Sequence, residues 1–187
     1  MGNILNRFTI YFWNDPDNKR YKASYFEHFP NKWRHGDFIK INSKTHGIVI
    51  YGRSDATLNR HGIRIGTSEI YRSINKIKSI EDSLIVNLER EGGQHYMPLF
   101  VKMKASFNLT DNIKEEICNT LKKEYTPRHV PDDIIEVPDI PYTISGKKME
   151  APIKKILLRM PFEKSINIDS MKNPESVNFF IQFAKKI

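Results

Sequence analysis

The chain has 187 residues, of which 39% are apolar and 28% are charged, and its formal net charge is +8. This composition is typical of a soluble globular protein with one large domain, or one domain and a piece of another. The basic balance favours anionic partners, namely nucleic acid, phosphorylated cofactors or acidic lipid heads. The single cysteine, Cys118, excludes an intramolecular disulfide and fits a reducing compartment.

The sequence gives no sign of a membrane segment. No apolar run approaches the roughly 18 residues of a membrane span. The apolar stretch near the start of the chain is too short for a signal peptide. A myristoylation motif that begins at Gly2 would have Ser or Thr at position 6, but this sequence has Asn6, so we do not predict myristoylation. We therefore expect a cytoplasmic protein without a membrane partner, and we expect Cys118 to be a buried thiol on a helix.

The first third of the chain predicts strands, turns and one helix. "DFIKI" and "HGIVIYG" predict two strands. "GRSDATLNRHGIRIG" predicts a loop, a tight turn and a brief strand. Thr67 or Ser68 can cap a helix that continues to about Lys78, with Ile70 and Ile74 on one apolar face.

The remainder alternates between strands and helices. "SLIVNL" and "HYMPLFVKM" predict strands joined at Gly92, and Pro98 predicts an edge or bulged strand. "TDNIKEEICNTLKKEY" predicts a helix capped by Thr110 or Asp111, and "DIIEV" predicts another strand. A helix with Pro152 in its first turn and a last amphipathic helix near Pro174 follow.

This order of elements predicts an α+β fold. We expect a compact domain over residues 55–187 and a strand-rich segment over residues 1–54. The boundary is predicted near Asp55, in a loop that contains glycine.

"SGKK", which contains Gly146, Lys147 and Lys148, is the first candidate for chemistry. It is not a phosphate-cradling loop, because Pro141 stands where the first glycine should be and Lys148 where Ser or Thr should follow. One interpretation is a solvated hairpin tip. The other is a mobile loop in which glycine allows a bend and a lysine meets a developing phosphate charge.

Three further residues suit nucleotide recognition. Asp37, in "WRHGD", can accept hydrogen bonds from a ribose diol or can simply cap a turn. Arg53 and Arg64 lie near glycines and suit phosphate or sugar recognition, although either can be a surface residue. We find no cluster with metal-ligand spacing and no Ser/His/Asp arrangement.

"KWRHGD", "GRSDATLNRHGIRIGTSEIY" and "IPYTISGKKME" together resemble the C-terminal motifs of the acyl-adenylate-forming (AMP-dependent) synthetase family. Longer stretches, including "TPRHVPDDIIEVPDIPYTISGKK" and "NPESVNFF", are similar to its acetoacetate branch. The resemblance covers nearly the whole chain. It implies the family's small C-terminal domain, a mixed sheet with flanking helices, after a strand-rich end of the large N-terminal domain.

The resemblance implies the joining of acetoacetate or a similar short acid to coenzyme A (CoA). ATP and Mg²⁺ first activate the acid as an acyl-adenylate, and the CoA thiol then displaces AMP. Lys147 would be the adenylation lysine, with Lys148 as the alternative. Asp37 would hold the ribose hydroxyls, Arg53 would contact the nucleotide near the ribose, and Arg64 would meet a phosphate during thioester formation.

Three more assignments follow from the resemblance. Asp55 would be the hinge about which the C-terminal domain swings between the two steps. Lys122 or Arg128 would meet the phosphates of CoA. No residue is assigned to a metal.

One departure from the family limits this interpretation. The chain has no Ser/Thr/Gly-rich phosphate loop and no acid pocket, so we expect it to be inactive alone. It either acts with a separate N-terminal synthetase chain or is a non-catalytic residual or binding protein. Nucleic-acid binding is disfavoured, because the lysines are scattered among acidic residues. We also expect an apolar patch left by missing packing partners, formed by Phe8, Ile10, Tyr11, Phe12, Trp13 and Phe26.

Overall fold

The computed structural model describes residues 11–54, 58–60, 63–89 and 91–187. The chain divides into two compact units, Met1–Gly36 and Asp37–Ile187. Asp55 lies outside the described residues, so the domain boundary near it stays a prediction.

The described part of the first unit is organised around a short helix, α1 (Lys19–Tyr25). The Asp15 carboxylate accepts hydrogen bonds from the backbone N–H groups of Arg20 and Tyr21 at 3.1 and 2.9 Å. These bonds satisfy donors of the first helical turn that have no partner within the helix. They outweigh the effect of burial and hold the pKa of Asp15 below its usual value.

The apolar patch expected in the first unit is present only in part. Trp13 is 90% exposed and Tyr11 is 66% exposed. Phe12 and Phe26 are half-buried, and each packs against Tyr21 with ring centroids 5.8 Å apart. The other two residues of the expected patch, Phe8 and Ile10, lie outside the described residues.

The second unit opens with two antiparallel hairpins. The first confirms the two strands predicted there, and the second has two brief strands where one was predicted. The first pairs β1 (Asp37–Ile41) with β2 (Ile48–Arg53), and the Asn42 side chain closes its turn by accepting the N–H of Lys44 at 2.8 Å. The second pairs β3 (Leu58–Arg60) with β4 (Ile63–Ile65).

A mixed three-stranded sheet forms the centre of the second unit. Its order is β5 (Ile80–Ile85), β8 (Pro98–Met103) and β9 (Asp133–Glu136), with β8 antiparallel to β5 and parallel to β9. A short ladder of β6 (Leu88–Glu89) and β7 (His95–Tyr96) lies between β5 and β8 in sequence. The prediction of an edge or bulged strand at Pro98 is wrong, because β8 is the central strand and the register shift of its ladder with β5 lies at the other end, between Ile80 and Asp82. Pro98 is its first residue, where a missing N–H disturbs the ladder least.

Helices cover both faces of this sheet. They are α2 (Thr67–Ile74), α3 (Asp111–Glu124), α4 (Glu150–Leu157), α5 (Phe162–Ser165) and α6 (Val177–Ala184), with 3₁₀ turns at Glu91–Gly93, Pro127–His129, Ile168–Ser170 and Pro174–Ser176. Among the residues described, no helix is long and apolar enough to cross a bilayer.

The beginning of α2 differs from the prediction. The residue before the helix is Gly66, so neither Thr67 nor Ser68 caps it, and the helix ends at Ile74 rather than Lys78. A Cβ at Gly66 would lie 2.5 Å from the Tyr51 carbonyl oxygen, so this close approach requires glycine. The predicted cap of α3 is confirmed, since Thr110 Oγ1 accepts the N–H of Ile113 at 3.4 Å.

The core has one apolar cluster on each face of the sheet. Phe100 of β8 joins the cluster under α4 and α6, and Leu99 and Val101 join the cluster under α2 and α3. This alternation follows from the two-residue period of a strand. Cys118 is half-buried on α3, where burial raises the pKa of its thiol.

Candidate functional site

The "SGKK" segment forms a tight turn at the end of a narrow loop. Thr143 N–H donates to the Lys147 carbonyl at 2.9 Å, and Gly146 N–H donates to the Thr143 carbonyl at 2.8 Å. Gly146 has a φ of 78°, a left-handed conformation that glycine adopts without strain. Lys147 follows directly and is exposed. The glycine therefore shapes the turn that presents Lys147 to solvent.

Asn173 fixes the base of this loop. Its side-chain carbonyl accepts the Tyr142 N–H at 2.9 Å, and its amide donates to the Ile140 carbonyl at 2.8 Å and to Asp139. On the same side, Ile144 N–H donates to the Ser170 carbonyl at 2.9 Å. These bonds tie the loop to the segment before α6.

Lys148 is held inside the structure. Its ammonium lies 2.5 Å from Asp82 Oδ1, donates to the Ser83 carbonyl, and sits 4.1 Å from the centre of the Tyr71 ring. Its side chain is only 18% exposed. An ion pair and a cation–π contact thus anchor the loop to β5 and α2.

Two tyrosines complete the surroundings of Lys148. Tyr142 donates its hydroxyl proton to Asp82 at 2.6 Å, and Tyr71 donates to Glu150 at 3.1 Å. Burial, followed by the neighbouring carboxylates, raises the pKa of both phenols above the usual tyrosine value. Both side chains therefore remain neutral donors around the buried cation at physiological pH.

The two adjacent lysines thus have opposite environments. Lys148 forms an antiparallel bridge with Tyr142, so the extended backbone directs neighbouring side chains to opposite sides. Among the described residues, the Lys147 ammonium has no ion-pair partner.

The predicted nucleotide-binding residues lie on the two hairpins. Asp37 is half-buried on β1, directly opposite Arg53 of β2. Arg64 of β4 pairs with Asn59 of β3. The register thus brings Asp37 and Arg53 together, whereas no described contact joins either to Lys147. The side chains of Arg53 and Arg64 lie outside the described part, as does the predicted hinge Asp55.

The two residues predicted to contact CoA are both exposed, and they lie close together in the sequence. Lys122 lies in the last turn of α3, and Arg128 lies in the 3₁₀ turn that follows. The turn is fixed by His129, which is buried, stacks on Tyr125 and has its Nε2 3.5 Å from Glu69. Both cations are exposed, and neither forms an ion pair with any residue in the described part of the chain.

The described part of the chain offers no metal centre. Among the residues that the structure describes, no group of three or more His, Cys, Asp and Glu side chains could hold a metal ion. The Mg²⁺ that the resemblance implies is therefore not assigned to residues of this chain.

Sequence reasoning missed Asp82 and Asn173, the two residues that fix the loop. Asp82 is 66 residues from Lys148, and Asn173 is 31 residues from Tyr142. The local signal at Asp82 is a pair of carboxylates, Glu81 and Asp82, early in a strand that ends in buried apolar residues, and it does not identify the partner of either.

Comparisons with known proteins agree on one family, although no family model matches the chain. "Acetoacetyl-CoA synthetase" of Caenorhabditis elegans is 44% identical over 174 residues, which are 92% of this chain and 24% of that protein. "Acetoacetyl-coenzyme A synthetase" of Rhizobium meliloti (strain 1021) is 40% identical over 171 residues, 91% of this chain and 26% of that protein.

A solved structure extends this similarity to the fold. The acetoacetyl-CoA synthetase from Streptomyces lividans matches with a TM-score of 0.86 and 41% identity, covering 94% of this chain and 26% of that one. An ATP-bound RpMatB-BxBclM chimera, at 21% identity and a TM-score of 0.59, shares the fold. The chain spans about a quarter of the length of these relatives. It belongs to the acyl-adenylate-forming (AMP-dependent) synthetase family and is similar to the C-terminal part of acetoacetyl-CoA synthetases.

Proposed function

We propose that this chain is the C-terminal portion of an acetoacetate–CoA ligase and that Lys147 supplies its adenylation cation. The observation that carries the proposal is the exposed Lys147 on a loop whose base and neighbouring lysine are both fixed. A lysine in this setting is a reachable point charge for the α-phosphate of ATP, where negative charge grows during acyl-adenylate formation.

The other predicted residues have roles in the same two-step reaction. Asp37 accepts hydrogen bonds from the ribose hydroxyls, and Arg53, its cross-strand neighbour, contacts the nucleotide nearby. Arg64 meets a phosphate while the CoA thiol displaces AMP, and Asp55 is the hinge between the two arrangements. Exposed cations at Lys122 and Arg128 meet the phosphates of CoA.

The proposed reaction also needs an acid pocket and a phosphate loop, which are not among these 187 residues. We propose that both belong to an N-terminal synthetase chain that acts together with this one. The acid is acetoacetate, on the basis of the relatives' names and their 37–44% identity to this chain.

The test is ATP–pyrophosphate exchange with acetoacetate. The chain is co-expressed with the C. elegans relative lacking the quarter that this chain matches. Lys147→Ala is expected to lower exchange by about 10²–10³-fold, the loss typical of one charge-stabilising contact. Thioester formation from supplied acetoacetyl-AMP is expected to persist.

Lys155→Ala is the matched control, since Lys155 is an exposed lysine on α4 outside the loop. Equal loss of both half-reactions in Lys147→Ala would contradict the assigned role. A complex that shows no exchange with the wild-type chain would favour a non-catalytic binding protein.

A further inference from the structure

Asp82 of β5 holds both sides of the loop that carries Lys147. Its Oδ1 atom lies 2.5 Å from the Lys148 ammonium, and its Oδ2 atom accepts the Tyr142 hydroxyl at 2.6 Å. Tyr142 and Lys148 face each other as an antiparallel bridge, immediately before and immediately after the segment 143–147. We call Asp82, Tyr142 and Lys148 the carboxylate clamp.

The clamp immobilises a long, flexible side chain where an apolar one would also pack. The Lys148 side chain is 18% exposed and that of Asp82 is 20% exposed. Ordering a lysine side chain is costly in entropy, and a buried ion pair is often no more stabilising than apolar residues of similar volume. What the pair adds is direction, because an ammonium must lie at a carboxylate oxygen and a methyl group need not. The clamp therefore specifies where the loop lies.

The position of the loop matters because of Lys147. Its side chain is exposed and has no ion-pair partner among the described residues, so side-chain contacts of that kind do not place it. Its backbone is fixed instead, since its N–H donates to Thr143 Oγ1 at 3.0 Å and its carbonyl accepts the Thr143 N–H at 2.9 Å. Both bonds lie within the turn. The clamp connects this turn to β5 of the central sheet, whereas Asn173 connects its base to the segment before α6.

We propose that Asp82 is a positioning residue for the adenylation step: through Lys148 and Tyr142 it places the Lys147 backbone so that the ammonium reaches the α-phosphate. The proposal rests on the proposed function, which assigns that cation to Lys147. A displacement of about 1 Å from the productive geometry can cost about 10²-fold in rate, even when it arises away from the chemistry. Thioester formation does not use Lys147, so loss of the clamp affects the first half-reaction alone.

Asp82→Asn tests the clamp in the complex with the truncated C. elegans relative. The amide keeps the size of the carboxylate but removes the charge that holds Lys148. ATP–pyrophosphate exchange is expected to fall about tenfold or more, with the loss in kcat rather than in the KM for ATP. Thioester formation from supplied acetoacetyl-AMP is expected to stay at the wild-type rate. Tyr142→Phe keeps the ion pair and removes one hydrogen bond, so a smaller loss of the same kind is expected.

Glu81→Gln is the matched control. Glu81 is the neighbouring carboxylate of β5, and it pairs with Lys102, 2.8 Å away, instead of with the loop. This variant is expected to keep wild-type ATP–pyrophosphate exchange. Asp82→Asn in a Lys147→Ala background is expected to add no further loss, because positioning acts only through the Lys147 ammonium. A merely structural defect would lower the activity further in that background.

Amide hydrogen exchange of the isolated chain tests the clamp without any enzyme assay. The Gly146 N–H donates to the Thr143 carbonyl at 2.8 Å, and its hydrogen is expected to exchange about tenfold faster in Asp82→Asn than in the wild type. The amides of β8 are expected to keep their protection, which distinguishes local opening of the loop from global unfolding.

Four outcomes would overturn the proposal. They are wild-type adenylation in Asp82→Asn, equal losses in its two half-reactions, a further loss in the Lys147→Ala background, and an unchanged Gly146 amide. A wild-type complex without ATP–pyrophosphate exchange contradicts the proposed function instead, and the Gly146 amide then decides whether Asp82 holds the loop.

Discussion

At the scale of single residues, Lys147 and Lys148 show how one position changes the chemistry of a lysine. The Lys148 ammonium replaces its water shell with Asp82, the Ser83 carbonyl and the Tyr71 ring. Lys147 is exposed and has no ion-pair partner among the described residues. An exposed ammonium suits a cation that approaches and leaves a phosphate, whereas an ammonium held in a buried ion pair does not.

Lys148→Met is expected to lower the free energy of unfolding by about 1–3 kcal/mol, because Asp82 is left partly buried without its cation. Lys147→Met is the matched control and is expected to change it by less than about 0.5 kcal/mol. Urea unfolding of the isolated chain measures both. Equal effects of the two variants would show that Lys148 does not anchor the loop.

At the scale of elements, the loop that carries Lys147 has a base fixed by hydrogen bonds with Asn173 and a short turn at its tip. Asp139 accepts a hydrogen bond from the Asn173 amide and forms an ion pair with Lys102 of β8, whose Nζ lies 3.1 Å away. It thereby connects the central sheet to the segment that holds the loop. Burial alone would raise the pKa of Asp139, but the bonds to Asn173 and Lys102 outweigh it and lower the pKa.

This lowered pKa predicts a dependence of stability on pH. The ionised Asp139 stabilises the folded chain at pH values above its unfolded-state pKa, near 3.8, and this stabilisation is lost as pH falls through the lower folded-state pKa. Asp139→Asn is expected to lower stability at neutral pH and to make the acid side of the profile less steep. Thermal unfolding between about pH 7 and about pH 3 measures the change. An unchanged acid slope would contradict the role of Asp139.

At the scale of the whole molecule, the second unit is stabilised by apolar packing on both faces of a small sheet. Phe100 of β8 and Phe180 of α6 are fully buried, with ring centroids 4.9 Å apart in an edge-to-face arrangement. This contact joins the central strand to the last helix and so closes the cluster beneath α4. The sheet that supports the lysine loop depends on this packing.

Phe180→Ala is expected to lower the free energy of unfolding by about 3–5 kcal/mol, because it removes a fully buried ring and leaves a cavity. Phe107→Ala, at a residue that is 46% exposed, is expected to change it by less than about 1 kcal/mol. Denaturant unfolding of both variants compares the two positions. A small loss in Phe180→Ala would mean that α6 is not part of the cooperative core.

Patterns within single segments predicted much of this architecture. The high strand propensity of "HGIVIYG", the capping Thr110 and the Gly146 turn each depend on residues within a short segment. The prediction for Pro98 was wrong because the position of a strand in a sheet is decided by its partners. β8 pairs with β5 and β9, and nothing in its own sequence gives that order.

The sequence by itself determined the α+β class, the order of the motifs and the family to which they belong. Only the tertiary structure decided which of two adjacent lysines is held and which is exposed, and that one carboxylate, Asp82, holds both sides of their loop. The physical reason is the same in both cases. Burial and ion pairing are properties of residues brought together from distant parts of the chain, as Asp82 and Lys148 are across 66 positions.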